Sequence, residues 1–242
     1  MYYTVNPQYN EKTVWTNRTL NVLFVCSDSI TIKNADDIED DFPDDKRPAA
    51  AVVHDSLTRA FPREYAKRKL KVLCAIDTLP AGSFAHQSDT AQFEYINRHI
   101  AKGDTTNYRF AIPKKQTLID AGLKPDIGII INKLTMGRNY SMLSYGPTFL
   151  PGNTISTPRG TFSTPGMMMG SGGGSSESLD AMVQYVIWDY QNACEISYGN
   201  IPVSTSFFWV MTHNTWKDEF QQIAWDILKQ SPLKAKPRND SW

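Results

Sequence analysis

The segment Ile127-Gly128-Ile129-Ile130-Ile131-Asn132-Lys133-Leu134 constrains the fold more than any other. Its first residues are apolar at odd and even positions alike. Successive side chains of a strand point to opposite faces, so such a run is stable only when both faces are covered. It belongs in the middle of a sheet with a layer on each side. Short apolar runs at Leu20–Cys26 and Leu70–Ile76 supply neighbouring strands. Between them, Pro48 is placed to open a helix over Ala49–Phe61, in which Val53, Leu57, Ala60 and Phe61 share a face, and Pro62 ends or kinks it. Strand, helix and strand in this order predict a parallel βαβ unit.

Helical spacing of Phe93, Ile96 and Ile100 predicts a second helix over Thr90–Ile100. A short third helix runs from Lys114 to Ala121, closed by Gly122. Ala181–Tyr190 reads as a strand, Gln191-Asn192-Ala193 as a turn, and Cys194–Tyr198 as the return strand. Gly199 to Pro202 interrupts that strand, and Val203–Val210 continues extended. The last helix has Thr215 as its cap with Asp218 three residues on, and Trp216, Phe220, Ile223, Ala224, Ile227 and Leu228 form one apolar stripe. The predicted class is therefore α/β: three layers, with a mixed β-sheet of four to five strands flanked by helices, ending in a C-terminal β-hairpin and an amphipathic helix. Residues 1–19 read as an N-terminal arm, 20–232 as a single domain and 233–242 as a tail.

One stretch, about 142–178, departs from this composition. It carries Pro147, Pro151, Pro158, Pro165 and the run Gly170-Ser171-Gly172-Gly173-Gly174-Ser175-Ser176. Tyr145, Phe149, Leu150, Ile155, Phe162 and Met167-Met168-Met169 are too many apolar residues for a flexible linker. The stretch is expected to pack on the body or on a partner.

Charge excludes some partners. Lys+Arg and Asp+Glu number 25 each, so formal net charge is zero, which argues against a dedicated nucleic-acid binder. An acidic run, Asp36 to Asp45, and a basic run, Arg63 to Lys71, read as solvated loop and helix end. Three cysteines, Cys26, Cys74 and Cys194, cannot complete an internal disulfide set. Cys26 and Cys74 lie in strand-like runs and read as buried thiols. Met1–Asn6 lacks the basic start and apolar middle of a signal peptide, which leaves two expectations: a cytoplasmic protein, or a chain that begins after a removed signal.

No catalytic, cofactor-binding or metal-binding residue is assigned. The glycine run 170–174 is followed by a strand and lacks the Lys of a phosphate loop. His54, His86, His99 and His213 read as structural. His54-Asp55-Ser56 is adjacent in sequence but not in direction on a helix. The acidic loop lacks the central Gly and ligand alternation of an EF-hand. Tyr185, Trp188 and Tyr190 do not make a single carbohydrate-binding stripe, because alternation sends Tyr185 and Trp188 to opposite faces.

The element order brings in a resemblance. A short helix leads into Lys124-Pro125-Asp126-Ile127-Gly128-Ile129-Ile130-Ile131, and a later strand carries Ile187-Trp188-Asp189-Tyr190-Gln191-Asn192. Over roughly residues 20–230 this resembles the fold of TolB N-terminal-like domains, the lipoprotein activators of penicillin-binding proteins and the curli secretion-channel lipoprotein. Those families carry an Ala-Asp-apolar-apolar-x-Gly strand and a Val-x-Asp-x-x-Thr-Gly turn, and here the Thr-Gly is absent. The resemblance implies a non-enzymatic bacterial cell-envelope lipoprotein-type domain, periplasmic and held at the outer membrane by a lipid anchor. Such a domain binds or scaffolds protein partners, with homo-oligomers among the possibilities. The alternatives are a ring-forming secretion-channel subunit and a hydrolase with an unrecognised site. The 142–178 insert falls where the curli channel places a membrane-spanning hairpin. It lacks sustained alternation and its prolines remove ladder donors, so the sequence favours a partner-binding loop.

Overall fold

The computed structural model describes residues 3–9, 20–27, 29–33, 35–68, 74–78, 89–100, 106–143, 148–150, 154–157, 160–163, 167–169, 174–207 and 210–231. The predicted class is the observed one. The main sheet is mixed and has seven strands rather than four or five, in the order β1 (Tyr3–Val5), β13 (Cys194–Phe207), β12 (Gly174–Asp189), β7 (Ile127–Leu143), β2 (Leu20–Cys26), β4 (Cys74–Thr78). β3 (Ile30–Ile32) also pairs with β7, continuing the edge where β2 leaves it. β2 is parallel to β4 and β7, whereas β7, β12, β13 and β1 are joined antiparallel. Two of the strands that raise the count, β1 and β3, are too short to carry a period.

β7 is central, as its two-sided apolarity requires. On one face of the sheet, Ile127, Ile129 and Ile131 pack with Val53, Leu57 and Phe61 of α2 (Ala49–Arg68) and the stripe of α4 (His213–Leu228). Phe24 of β2 stacks on Phe61 with ring centroids 4.1 Å apart. On the other face, Ile130, Val186, Trp188 and Tyr190 meet Phe110 and Ile112 of β6 (Tyr108–Pro113) and Leu118 of α3 (Lys115–Asp120). Tyr185 and Trp188 do lie on opposite faces.

Several local expectations are corrected. Residues 93–98 form a strand, β5 (Phe93–Arg98), antiparallel to β6. The helical spacing there is overridden by cross-strand partners: the Arg109 guanidinium lies 3.8 Å from the Tyr95 ring centre, and Arg98 pairs with Glu195 at 2.9 Å. The acidic run is not all loop, since α1 (Ala35–Asp41) forms on it. Asp36 and Asp37 suit the positive end of the helix, and Ile38 is buried beneath it. Trp216 Nε1 donates to Asp41 at 2.8 Å and ties α1 to α4. α2 runs through Pro62 to Arg68, because burial of Phe61 outweighs the lost backbone bond. β13 is continuous through Gly199 to Pro202. The start of α4 lies one capping period earlier than expected: Thr212 is the cap, and its N–H donates to Thr215 Oγ1 at 3.2 Å. Cys26, the last residue of β2, is half-buried rather than buried, as is Cys194, while the Cys74 side chain lies outside the described residues.

α3 ends as expected. Gly122 has φ +79°, Leu123 N donates to Leu118 O at 2.8 Å and Gly122 N to Ile119 O at 2.9 Å, a Schellman closure.

Candidate functional site: an arm grown from the central strands

Opposite Tyr185 stands Ile131, and opposite Gln184 stands Lys133, so Asn132 is an extra residue on β7. This bulge switches parity. Before it, the helix-facing residues of β7 are Ile127, Ile129 and Ile131; after it they are Leu134 and Met136. Asn132 Oδ1 accepts from Ala111 N at 2.5 Å, which fixes the bulge against β6. Past this point the second layer of β5, β6 and α3 gives way to an open sheet face.

The strands continue well beyond the body. β13 leaves the sheet at Phe207, opposite Glu177, which faces Tyr140 on β7. Farther out, Leu143 stands opposite Gly174. β8 (Thr148–Leu150) then pairs with β11 (Met167–Met169), with Leu150 opposite Met167. β9 (Thr154–Thr157) pairs with β10 (Gly160–Ser163), with Thr157 opposite Gly160. The stretches between these ladders are equal in length on the two sides, 144–147 against 170–173 and 151–153 against 164–166. β8–β11 and β9–β10 are each a separate two-stranded sheet, and their partner numbers continue those of β7 and β12: 143 with 174, 150 with 167, 157 with 160. Pro147, Pro151, Pro158 and Pro165 all lie outside the described residues, and the paired segments from 148 to 169 contain no proline.

Between Arg138 and Glu177 the sequence contains one charged residue, Arg159. Within the outer ladders, Phe149–Met168 alternates with Thr148–Met169 and Leu150–Met167, and Ile155–Phe162 and Thr157–Gly160 alternate with Thr154–Ser163 and Ser156–Thr161.

The root of the arm is clamped by charge. Arg138 pairs with Glu177, lies 3.9 Å from Asp37 of α1 and stands 5.4 Å from the Phe207 ring centre. On the open face, Ser204 Oγ donates to Asp180 Oδ1 at 2.7 Å and Asn139 Nδ2 to Asp180 Oδ2 at 2.8 Å, stitching β13, β12 and β7 together. Partial burial alone would raise the Asp180 carboxyl; the bonds from Ser204, Asn139 and Ser178 outweigh it and hold it below its usual range.

At the opposite end of β12, Asp189 is buried and organises the turn. It accepts from Tyr9 Oη at 2.8 Å, Asn192 Nδ2 at 2.8 Å, and the backbone N–H groups of Gln191 and Asn192 at 2.7 and 3.0 Å. Ala193 closes the turn with φ +52°, the left-handed region that favours glycine.

The three described histidines are not brought together. His54 is buried on α2, 3.7 Å from the neighbouring Asp55. His99 Nδ1 contacts Thr106 O at 3.0 Å. His213 opens α4 against the Phe42 ring, and His86 lies outside the described residues. Among the described residues no group of three or more His, Cys, Asp or Glu is placed to hold a metal ion. No described helix is long and apolar enough to cross a membrane.

No family model matches this chain, and no curated protein matches its sequence.

Proposed function

We propose that this chain is a non-enzymatic subunit of a bacterial cell-envelope assembly, and that the β7–β12 arm builds the assembly by pairing edge to edge with the arms of other copies. The closed sheet so formed would cross a lipid bilayer as a channel, with the α/β bodies in a ring beside it. The observation that carries this reading is that the two outer ladders continue the register numbers of β7 and β12, in a sequence with no charge over 139–158 or 160–176. A two-stranded ribbon is marginal alone in water, and both of its outer edges present unpaired N–H and C=O groups. Inside a bilayer such edges are tolerated only in a closed barrel. A spanning strand needs about 9–11 residues, fewer than each side of the arm provides.

Two features support the envelope-lipoprotein resemblance as its frame. The strand after Pro125-Asp126 is the sheet's central one. In addition, Ala193 holds a left-handed conformation where those families carry the glycine of their Asp-x-x-Thr-Gly turn.

The test is flotation of the full chain with phospholipid vesicles, followed by proteolysis from outside. The reading expects the chain to float and residues 141–176 to be protected, and a variant lacking 145–175 to stay folded and remain in solution. A full chain that neither floats nor protects its arm overturns it. Arm-dependent capture of a different envelope protein by a chain that stays single would make it a scaffold instead.

A further inference from the structure

Away from the arm, the end of α1, the outer side of α2 and the first turns of α4 surround a hollow of about 270 Å³. Its floor is apolar: Val52, Ala60 and Phe220, all buried. Its rim is cationic: Arg59 and Arg63 come from α2, and Lys217 from α4. The one carboxylate on the rim, Asp45, is already engaged. Arg47 bonds it through Nε at 2.9 Å and through the second oxygen at 2.7 Å, which holds its carboxyl down at about 2. Arg47 also pairs with Asp55. Arg59 Nε is spent on the Asp55 backbone oxygen at 3.2 Å, while Arg63 and Lys217 have no carboxylate partner among the described residues. A chain of zero net charge therefore concentrates unpaired positive charge over an apolar floor. The positive end of α4 adds to the same field.

We infer that the hollow between α2 and α4 binds a small single-tailed organic anion, its carboxylate or phosphate head held by Arg63 and Lys217 and its stem lying on Val52, Ala60 and Phe220. The size lies just below that of ordinary small-molecule pockets, which suits a short stem. The site goes beyond the assembly reading, since none of its residues belongs to the arm.

The experiment is calorimetric titration of the full chain with octanoate, octyl phosphate and inorganic phosphate at low salt, each below its micelle concentration. The two octyl anions should bind, and inorganic phosphate should bind more weakly for want of a stem. Arg63→Gln and Lys217→Gln should each weaken binding roughly tenfold or more, the worth of one charge-assisted hydrogen bond. Far-UV circular dichroism should remain that of the parent. Raised salt should weaken the parent's binding through screening. No binding of either octyl anion overturns the assignment, as does binding that both variants retain. Binding confined to anionic vesicles or to an acidic peptide, with the free amphiphiles inert, overturns it equally.

Discussion

Glu219 sits on α4 with no exposure to solvent. Thr205 Oγ1 donates to its Oε2 at 2.6 Å, and its Oε1 has no hydrogen-bond partner among the described residues. Burial pushes the carboxyl up to about 8 from an ordinary 4.5; the Thr205 bond opposes this, and the nearby Asp180 and Asp226 charges add to it. In the folded chain the group thus keeps its proton at pH values where the unfolded chain has lost it. The stability this confers is complete below pH 4.5 and drains away as pH rises to about 8. At about 1.4 kcal/mol per pH unit, the interval corresponds to about 5 kcal/mol. Carboxyls held low, such as Asp45 at about 2, act only in more acidic solution, whereas Glu94 and Asp41, raised by partial burial, act with the same sign as Glu219. The assay is urea unfolding followed by tryptophan fluorescence at intervals from pH 5 to pH 8. The parent should lose several kcal/mol across that range. Glu219→Gln, which keeps the shape and cannot ionise, should flatten the profile and be the more stable protein at pH 8. An unchanged slope in the variant would refute the reasoning.

Three smaller perturbations probe the frame of the arm. Ala193→Gly should stabilise the chain by about 1 kcal/mol, because glycine meets no Cβ penalty at φ +52°; a lower thermal midpoint would count against the turn geometry. Gly128→Ala should cost about 1–3 kcal/mol, since the added Cβ would lie 2.8 Å from Tyr190 Cε2 in a packed layer; an unchanged midpoint would contradict that packing. Arg138→Ala removes the clamp between Glu177 and Asp37 and should raise amide exchange in residues 135–140 and 177–180, with α3 unaffected; uniform protection would show that the clamp does not hold the root.

Much of the body was legible in the sequence because its signals are redundant. The stripe of α4, the two-sided apolarity of Ile127–Ile131 and the closing Gly122 each report a local structure that tertiary packing reinforces. Where a signal was single, it misled. Phe93, Ile96 and Ile100 fit a helix by spacing, yet β6 offered Phe93 and its neighbours cross-strand partners that spacing does not encode. The arm was illegible for a related reason. Each of its strands, read alone, is an irregular mix of Gly, Ser, Thr and apolar residues. Which segments pair, setting Phe149 opposite Met168 and Ile155 opposite Phe162, is a property of two segments together and is not written in either one. The bulge at Asn132 hides the pattern further by reversing parity within β7.

The central claim concerns what the arm's edges pair with, and native mass measurement of the full chain in lipid nanodiscs tests it most directly. The account predicts one closed oligomer of several copies in the bilayer, and a single-copy protein when residues 145–175 are removed. A full chain that remains a single copy in the bilayer, or an oligomer that persists without the arm, would contradict it.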